Sequence, residues 1–383
     1  MKKIVIIAGE ASGDLHGANL VQELKKRDPT LAFYGVGSRR MREAGVRMLA
    51  DASRISVVGA TEVLTHIGAI YGVYTRLKKF LREERPSLLI LIDFPDFNIL
   101  VGKAAKKLGI PIVYYISPQV WAWRKGRIKK IASLVRAMMV VFPFEVELYR
   151  KAGVDVRFVG HPLADVVKSE YTQAEARKQL QLDPRRRTVA LLPGSRKKEI
   201  MNLLPDMLGA ARILMTRFPD VQFVLPVAPT LEREFIRGFL NDAKAPVQVV
   251  DGRVYDVLRA ANAALVASGT ATLETGLMAV PMVILYRMSR LSFAIARLII
   301  RVDHVGLVNI VAGKRVAPEL LQDDVTPEKI AGAVSPMLDD PAIYQRVKDD
   351  LLQVRTKLGE GGASKRAASV VMEVLGKGKE HRA

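Results

Sequence analysis

The chain has 383 residues, 49% of them hydrophobic, and no cysteine, which supplies apolar material for about two domains and excludes disulfides and any Cys-ligated zinc or iron–sulfur centre. Its 59 Lys and Arg against 39 Asp and Glu, formally +20, point to polyanionic partners: nucleic acid, anionic lipid headgroups or phosphorylated substrates. No run approaches the roughly 18 uncharged apolar residues of a membrane span, and the apolar run after Met1-Lys2-Lys3 is too short for a signal segment, so a soluble or peripheral protein is expected.

Strands are predicted at 4–8, 31–36, 88–92, 112–116 and 138–142, and again at 189–192, 221–227, 247–250, 263–267 and 282–286. Continuous apolar runs separated by helix-length amphipathic segments suit parallel strands buried on both faces. The two series predict an α/β protein of two doubly wound units, each presenting ligand loops at its strand carboxyl ends. The join is expected in the polar stretch 165–187, giving units over 1–165 and 166–362 and a final helical segment over 363–383.

The first strand runs into Gly9-Glu10-Ala11-Ser12-Gly13-Asp14. Its glycines, at Gly9, Gly13 and Gly17, do not match the G-x-G-x-x-G of a dinucleotide site. Two further turns of this kind follow: Pro193-Gly194-Ser195-Arg196 and Ser268-Gly269-Thr270-Ala271-Thr272-Leu273-Glu274. Each sets small residues where a helix begins, so bare amides and the positive dipole end face outward. A single turn of this type is ordinary strand-to-helix punctuation. Two in one unit, one of them carrying Arg196, predict a receptor for a diphosphate, with Glu274 placed to accept from a ribose diol.

In Leu88–Asn98, LLILIDFPDFN, Asp93 follows an apolar run and should sit at a buried strand's carboxyl end. A partly desolvated carboxyl there has its pKa raised toward values useful for taking a proton. Asp96 and Asn98 lie just beyond as weaker candidates. His16 and His161 are the other general-base candidates, although a histidine in a Gly-His-Pro turn such as Gly160-His161-Pro162 is usually structural. No paired-His metal spacing, G-x-S-x-G elbow or Walker A loop occurs, so neither a metal site nor a cofactor is expected.

Two segments are both basic and apolar. In 286–301, Arg287, Arg290, Arg297 and Arg301 share one helical sector and Phe293 lies among the apolar residues of the other. In 67–82, Ile70, Tyr74 and Leu77 accompany only basic charge. Either a solvated surface helix or a helix in a bilayer interface accounts for such patterns. The run WAWRKGRIKK, 121–130, suggests stacking on nucleic acid, a membrane interface or a partner contact.

Together these motifs resemble the bacterial lipid-A-disaccharide synthase family. The likeness is carried by Gly9 to Asp14, Ile92-Asp93-Phe94-Pro95-Asp96-Phe97-Asn98, Ser117-Pro118-Gln119-Val120-Trp121-Ala122-Trp123, Phe158-Val159-Gly160-His161-Pro162, Leu191-Leu192-Pro193-Gly194-Ser195-Arg196 and Ala267 to Glu274. It implies a GT-B glycosyltransferase with two Rossmann-like domains facing a cleft and a C-terminal helix returning to the first. It implies inverting transfer of 2,3-diacylglucosamine from its UDP donor to 2,3-diacylglucosamine 1-phosphate in lipid A biosynthesis, on the cytoplasmic face of the inner membrane. In that reading Asp93 is the base, and Glu10, Ser12, Gly13, Asp14, His16, Asp96 and Asn98 serve the acceptor side. Gly194, Ser195, Arg196, Ser268, Gly269, Thr270, Glu274, Arg287, Asn309, Glu319 and Gln322 serve UDP, which makes a divalent metal unnecessary. Ile70, Tyr74, Leu77, Arg290, Phe293, Arg297 and Arg301 then meet anionic lipid, and no nucleic-acid role is expected. The alternatives are another GT-B enzyme, such as a UDP-sugar 2-epimerase or a peptidoglycan glycosyltransferase, and a basic RNA-binding protein.

Overall fold

The computed structural model describes residues 1–52, 60–118, 126–243, 246–289, 293 and 303–377. The chain divides into two compact units, Met1–Pro162 with Gly359–Ala383, and Leu163–Leu358. The divisions therefore fall a few residues before the expected 165 and 362. Lys2, Arg27 and Val159 bind the C-terminal helix Ala363–Lys377, so it counts with the first unit.

The first unit holds a sheet of strands β1 (Lys3–Ala8), β2 (Ala32–Gly37), β3 (Arg47–Asp51), β4 (Leu88–Ile92), β5 (Ile112–Tyr115), β6 (Ala137–Val140) and β7 (Val156–Phe158), in the order β3-β2-β1-β4-β5-β6-β7. Every pairing is parallel. The central strands are apolar along their length because helices cover both faces; β4 is buried at every position. The helix Ala60–Glu84 contributes Val73, Leu77 and Leu81 to this core, beside Val5, Leu89 and Leu91.

The second unit repeats the plan. Strands β8 (Arg187–Leu192), β9 (Val221–Val227), β10 (Val247–Asp251), β11 (Ala263–Ala267), β12 (Met282–Tyr286) and β13 (Glu319–Leu321) lie in the order β10-β9-β8-β11-β12-β13, again all parallel. The helices Lys197–Arg217 and Pro327–Asp339 bury Leu203, Leu204, Met207, Ile330 and Val334 against that sheet. Burying each such side chain contributes about 1.5–3 kcal/mol.

In both sheets the unit's first strand is a switch point. β1 lies between β2 and β4, and β8 between β9 and β11. Successive crossovers leave in opposite directions there, which opens a crevice beyond the strand carboxyl ends, where ligands bind in folds of this kind.

Candidate active site

At the first switch point, β1 and β4 end side by side, Ala8 opposite Ile92. Asp93 and Phe94 follow with φ of 45° and 46°. Two consecutive side-chain-bearing residues in the left-handed region cost on the order of 1–3 kcal/mol each unless the surroundings enforce them. Here they do. Tyr114 donates its hydroxyl to the Asp93 carbonyl, and Asn98 Nδ2 donates to the carbonyls of Asp93 at 2.7 Å and Ile92 at 3.1 Å. The Phe94 ring fills the place of a side chain at Gly9, where a Cβ would lie 2.3 Å from it. Gly13 rests on the end of β1, its Cβ position 3.3 Å from that of Ala8, and Gly17 rests on Met41. The glycines that break the dinucleotide pattern thus serve close packing of the helix Ala11–Arg27 and of the Phe94 ring.

Burial first and the nearby Glu10 charge second raise the Asp93 carboxyl, the Phe94 amide opposes both, and the group lies at about 6. The group is a carboxylate at neutral pH that accepts a proton readily. Glu10 and Ser12, at the start of the helix Ala11–Arg27, are exposed.

Several acceptor-side candidates are engaged within the chain. Asp14 is 3% exposed, and its carboxylate accepts from the Ser38, Arg40 and Met41 amides, closing the start of the helix Arg39–Glu43. Asn98 is fully buried and holds the Asp93 turn from beneath. His16 is buried near His161, whose ring packs on Phe142 at 5.1 Å; burial, with His16 next, lowers His161 to about 3 and keeps it neutral. Asp96 is exposed and paired with Arg127.

At the second switch point, the turn after β8 has Gly194 at φ 116°, where a Cβ would strike Glu199 at 2.3 Å. Glu199 lies in the first turn of the helix Lys197–Arg217 and folds back. Its Oε2 accepts from the Ser195 and Arg196 amides at 2.8 and 3.2 Å, and its Oε1 from Arg196 Nη1 at 3.3 Å. A carboxylate of the chain itself occupies the anion cradle. After β11, Gly269 caps the helix Thr270–Leu277 at φ 149° with no side-chain capping bond and open space at its Cβ position. Ser268 Oγ donates to the Val305 carbonyl, and half-buried Glu274, raised by burial, accepts from Tyr255 at 3.0 Å.

The remaining nucleotide-side expectations form a brace. Asn309 is fully buried, accepts from the Val316 and Ala317 amides and donates to Ala317 O and Glu319. Glu319 also accepts from the Val305 and Gly306 amides. Gln322 exchanges two hydrogen bonds with the Met288 backbone, and Arg287 pairs with Asp206 while donating to the Asn202 carbonyl. These groups are spent on the loops beside β12 and β13. Glu199, Tyr255 and Tyr114 went unnoticed in the sequence, and Arg127 was noted only as part of the basic run 121–130; of the first three, Glu199 left a signal there, an acid three residues after Arg196 in a helix's first turn.

The lipid-facing expectation is corrected at Leu77, which is 0% exposed and belongs to the core, while Ile70 and Tyr74 pack half-buried against it. Phe293 is half-buried. Arg290, Arg297 and Arg301, and the tryptophan motif from Gln119 to Trp123, lie outside the described residues. Among the described residues no helix is long and apolar enough to cross a membrane, and no group of three or more metal-ligating side chains converges.

Two parallel Rossmann-like sheets with switch-point turns of this kind define the GT-B class. A UDP-GlcNAc 2-epimerase from Neisseria meningitidis solved with UDP-GlcNAc superposes with a TM-score of 0.65 at 14% identity, covering 97% of this chain and 100% of that one. The kitacinnamycin glycotransferase superposes at 0.63 with 18% identity, covering 98% and 99%. The family model for lipid-A-disaccharide synthetase matches residues 4–374. The lipid-A-disaccharide synthase of Geobacter metallireducens is 52% identical over 376 residues, 98% of each chain. The chain belongs to the lipid-A-disaccharide synthetase family, and is a glycosyltransferase of lipid A biosynthesis.

Proposed function

We propose that the protein joins UDP-2,3-diacylglucosamine to 2,3-diacylglucosamine 1-phosphate, releasing UDP and the β-1,6-linked disaccharide 1-phosphate with inversion at the transferred carbon. The observation that supports this most is Asp93, a carboxyl raised to about 6 at a switch point. The acceptor 6-hydroxyl attacks the donor's anomeric carbon as Asp93 takes its proton. The bond from that carbon to the diphosphate oxygen breaks, and the electron pair leaves with UDP. In the second unit, the amides after Gly269 and the Arg196 guanidinium receive the growing charge, and Glu274 accepts from the ribose. Glu199 vacates the Ser195 and Arg196 amides when the diphosphate arrives, since two anions cannot share them.

Both substrates carry acyl chains and phosphate, so the reaction belongs at an anionic membrane surface on the cytoplasmic side, where each nearby basic residue contributes about 1 kcal/mol of attraction. Mixing the protein with donor and acceptor tests the reading: UDP should appear only when both are present, in step with disaccharide. UDP released at the same rate without acceptor, or none at all, refutes it.

A further inference from the structure

The basic run that ends at Lys130 has no part in the transfer just described, yet its described portion faces a cavity of about 530 Å³ in the first unit, lined by Asp96, Ile99, Lys103, Gly126, Arg127 and Lys130. That volume lies within the range of about 300–1,000 Å³ usual for ligand sites. The lining sets three cations against one carboxylate. Arg127 is anchored: its side chain is 11% exposed and paired with Asp96. Lys103 and Lys130 stand exposed on the helices Pro95–Lys107 and Gly126–Ala132. Gly126 leaves open space where a Cβ would stand, so a ligand can approach the backbone. The position is as telling as the charge. Asp96 lies three residues beyond Asp93, in the first turn of the helix Pro95–Lys107, and Tyr114, which donates to the Asp93 carbonyl, lies within the electrostatic reach of Arg127.

We propose that this cavity binds a lipid-borne phosphomonoester, the 1-phosphate of the acceptor, through Lys103, Lys130 and the anchored Arg127, fixing the sugar beside the base. The inference rests on the transfer reading above for the identity of the ligand, and on the cavity alone for its charge. Charge-assisted contacts to phosphate are the strong ones, and a guanidinium held by Asp96 loses little freedom on binding.

The test uses the full chain and the double variant Lys103→Gln with Lys130→Gln, both positions being exposed and outside the core. The double variant should raise the KM for 2,3-diacylglucosamine 1-phosphate by about tenfold or more, leave the donor KM and the thermal midpoint unchanged, and leave turnover of the phosphate-free acceptor as in wild type. Glucosamine 1-phosphate should bind the wild-type chain and not the variant. Unchanged acceptor kinetics with weakened cosedimentation on phosphatidylglycerol vesicles would assign the cavity to a headgroup phosphate and overturn the acceptor assignment. Equal losses with both acceptors, or no loss in any measurement, overturn the site. A wild-type chain that makes no disaccharide refutes the transfer reading instead, and binding of glucosamine 1-phosphate then still decides the cavity.

Discussion

At the end of β4 the first unit holds a carboxyl group so poorly hydrated that it keeps its proton to about pH 6; at the ends of β8 and β11 the second unit holds helix starts built of small residues, with an arginine after β8 and a glycine at φ 149° after β11. The strand order around the two switch points is the same, so topology supplies the place and the turn sequence supplies the sign. A strained, apolar-backed turn disfavours a negative charge, which suits the base proposed at Asp93. A turn of small residues ahead of a helix attracts a negative charge, which suits the proposed diphosphate receptor. The second unit carries a further contrast, between a helix start closed by Glu199 and one left open after Gly269.

The largest expected effect breaks the first half of the comparison. Asp93→Asn removes the proposed proton acceptor while keeping size and shape, and should lower kcat by about a hundredfold or more with UDP binding intact. Activity within a few-fold of wild type would take Asp93 out of the role. The same variant should be more stable, because burial raises the folded-state pKa from 3.8 to about 6. Below about pH 3 the carboxyl is protonated in both folded and unfolded chains and the group carries no penalty. As pH rises from about 4 to about 6 the unfolded chain ionises while the folded one resists, so stability falls, and above that range the loss is complete at about 3 kcal/mol. Denaturant midpoints of Asp93→Asn and wild type should therefore diverge at about pH 8 and converge at about pH 3; a variant less stable than wild type at about pH 8 would contradict the burial account.

Smaller effects sharpen the second half. Arg196→Ala should weaken UDP binding by about tenfold, measured by titration calorimetry, with Asp93 chemistry untouched in single-turnover rates at saturating donor. Glu199→Gln should tighten UDP binding by a few-fold, because the resident anion no longer competes, at a stability cost of roughly 1 kcal/mol for the lost cap. Weaker UDP binding in Glu199→Gln would mean that this carboxylate supports the nucleotide rather than standing in for it.

The strands legible in the sequence are those with continuous apolar runs, and β4, β9, β11 and β12 lie where the hydrophobic pattern puts them. β3, β7 and β13 escaped notice. All are edge strands with partly exposed residues, and a strand covered on fewer sides needs no apolar run. The placement of Asp93 at a buried strand's carboxyl end was legible because five apolar residues precede it. Asp14, Asn98 and Asn309 lie in helices that follow loops and Gln322 in a short 3-10 turn, and each points inward to backbone amides or carbonyls of a neighbouring segment; sequence spacing does not reveal a side chain's partner. Leu77 was misread because a helix covering a sheet and a helix lying on lipid share one periodicity; its zero exposure assigns it to the sheet.

The most direct test of the central claim is the pH dependence of kcat/KM, which reports the titration of the free enzyme. With wild type the account predicts an acidic limb of unit slope centred near the Asp93 value of about 6, and with Asp93→Asn a residual rate that no longer bends there. The same limb persisting in the variant, at the same midpoint, would show that another group takes the proton.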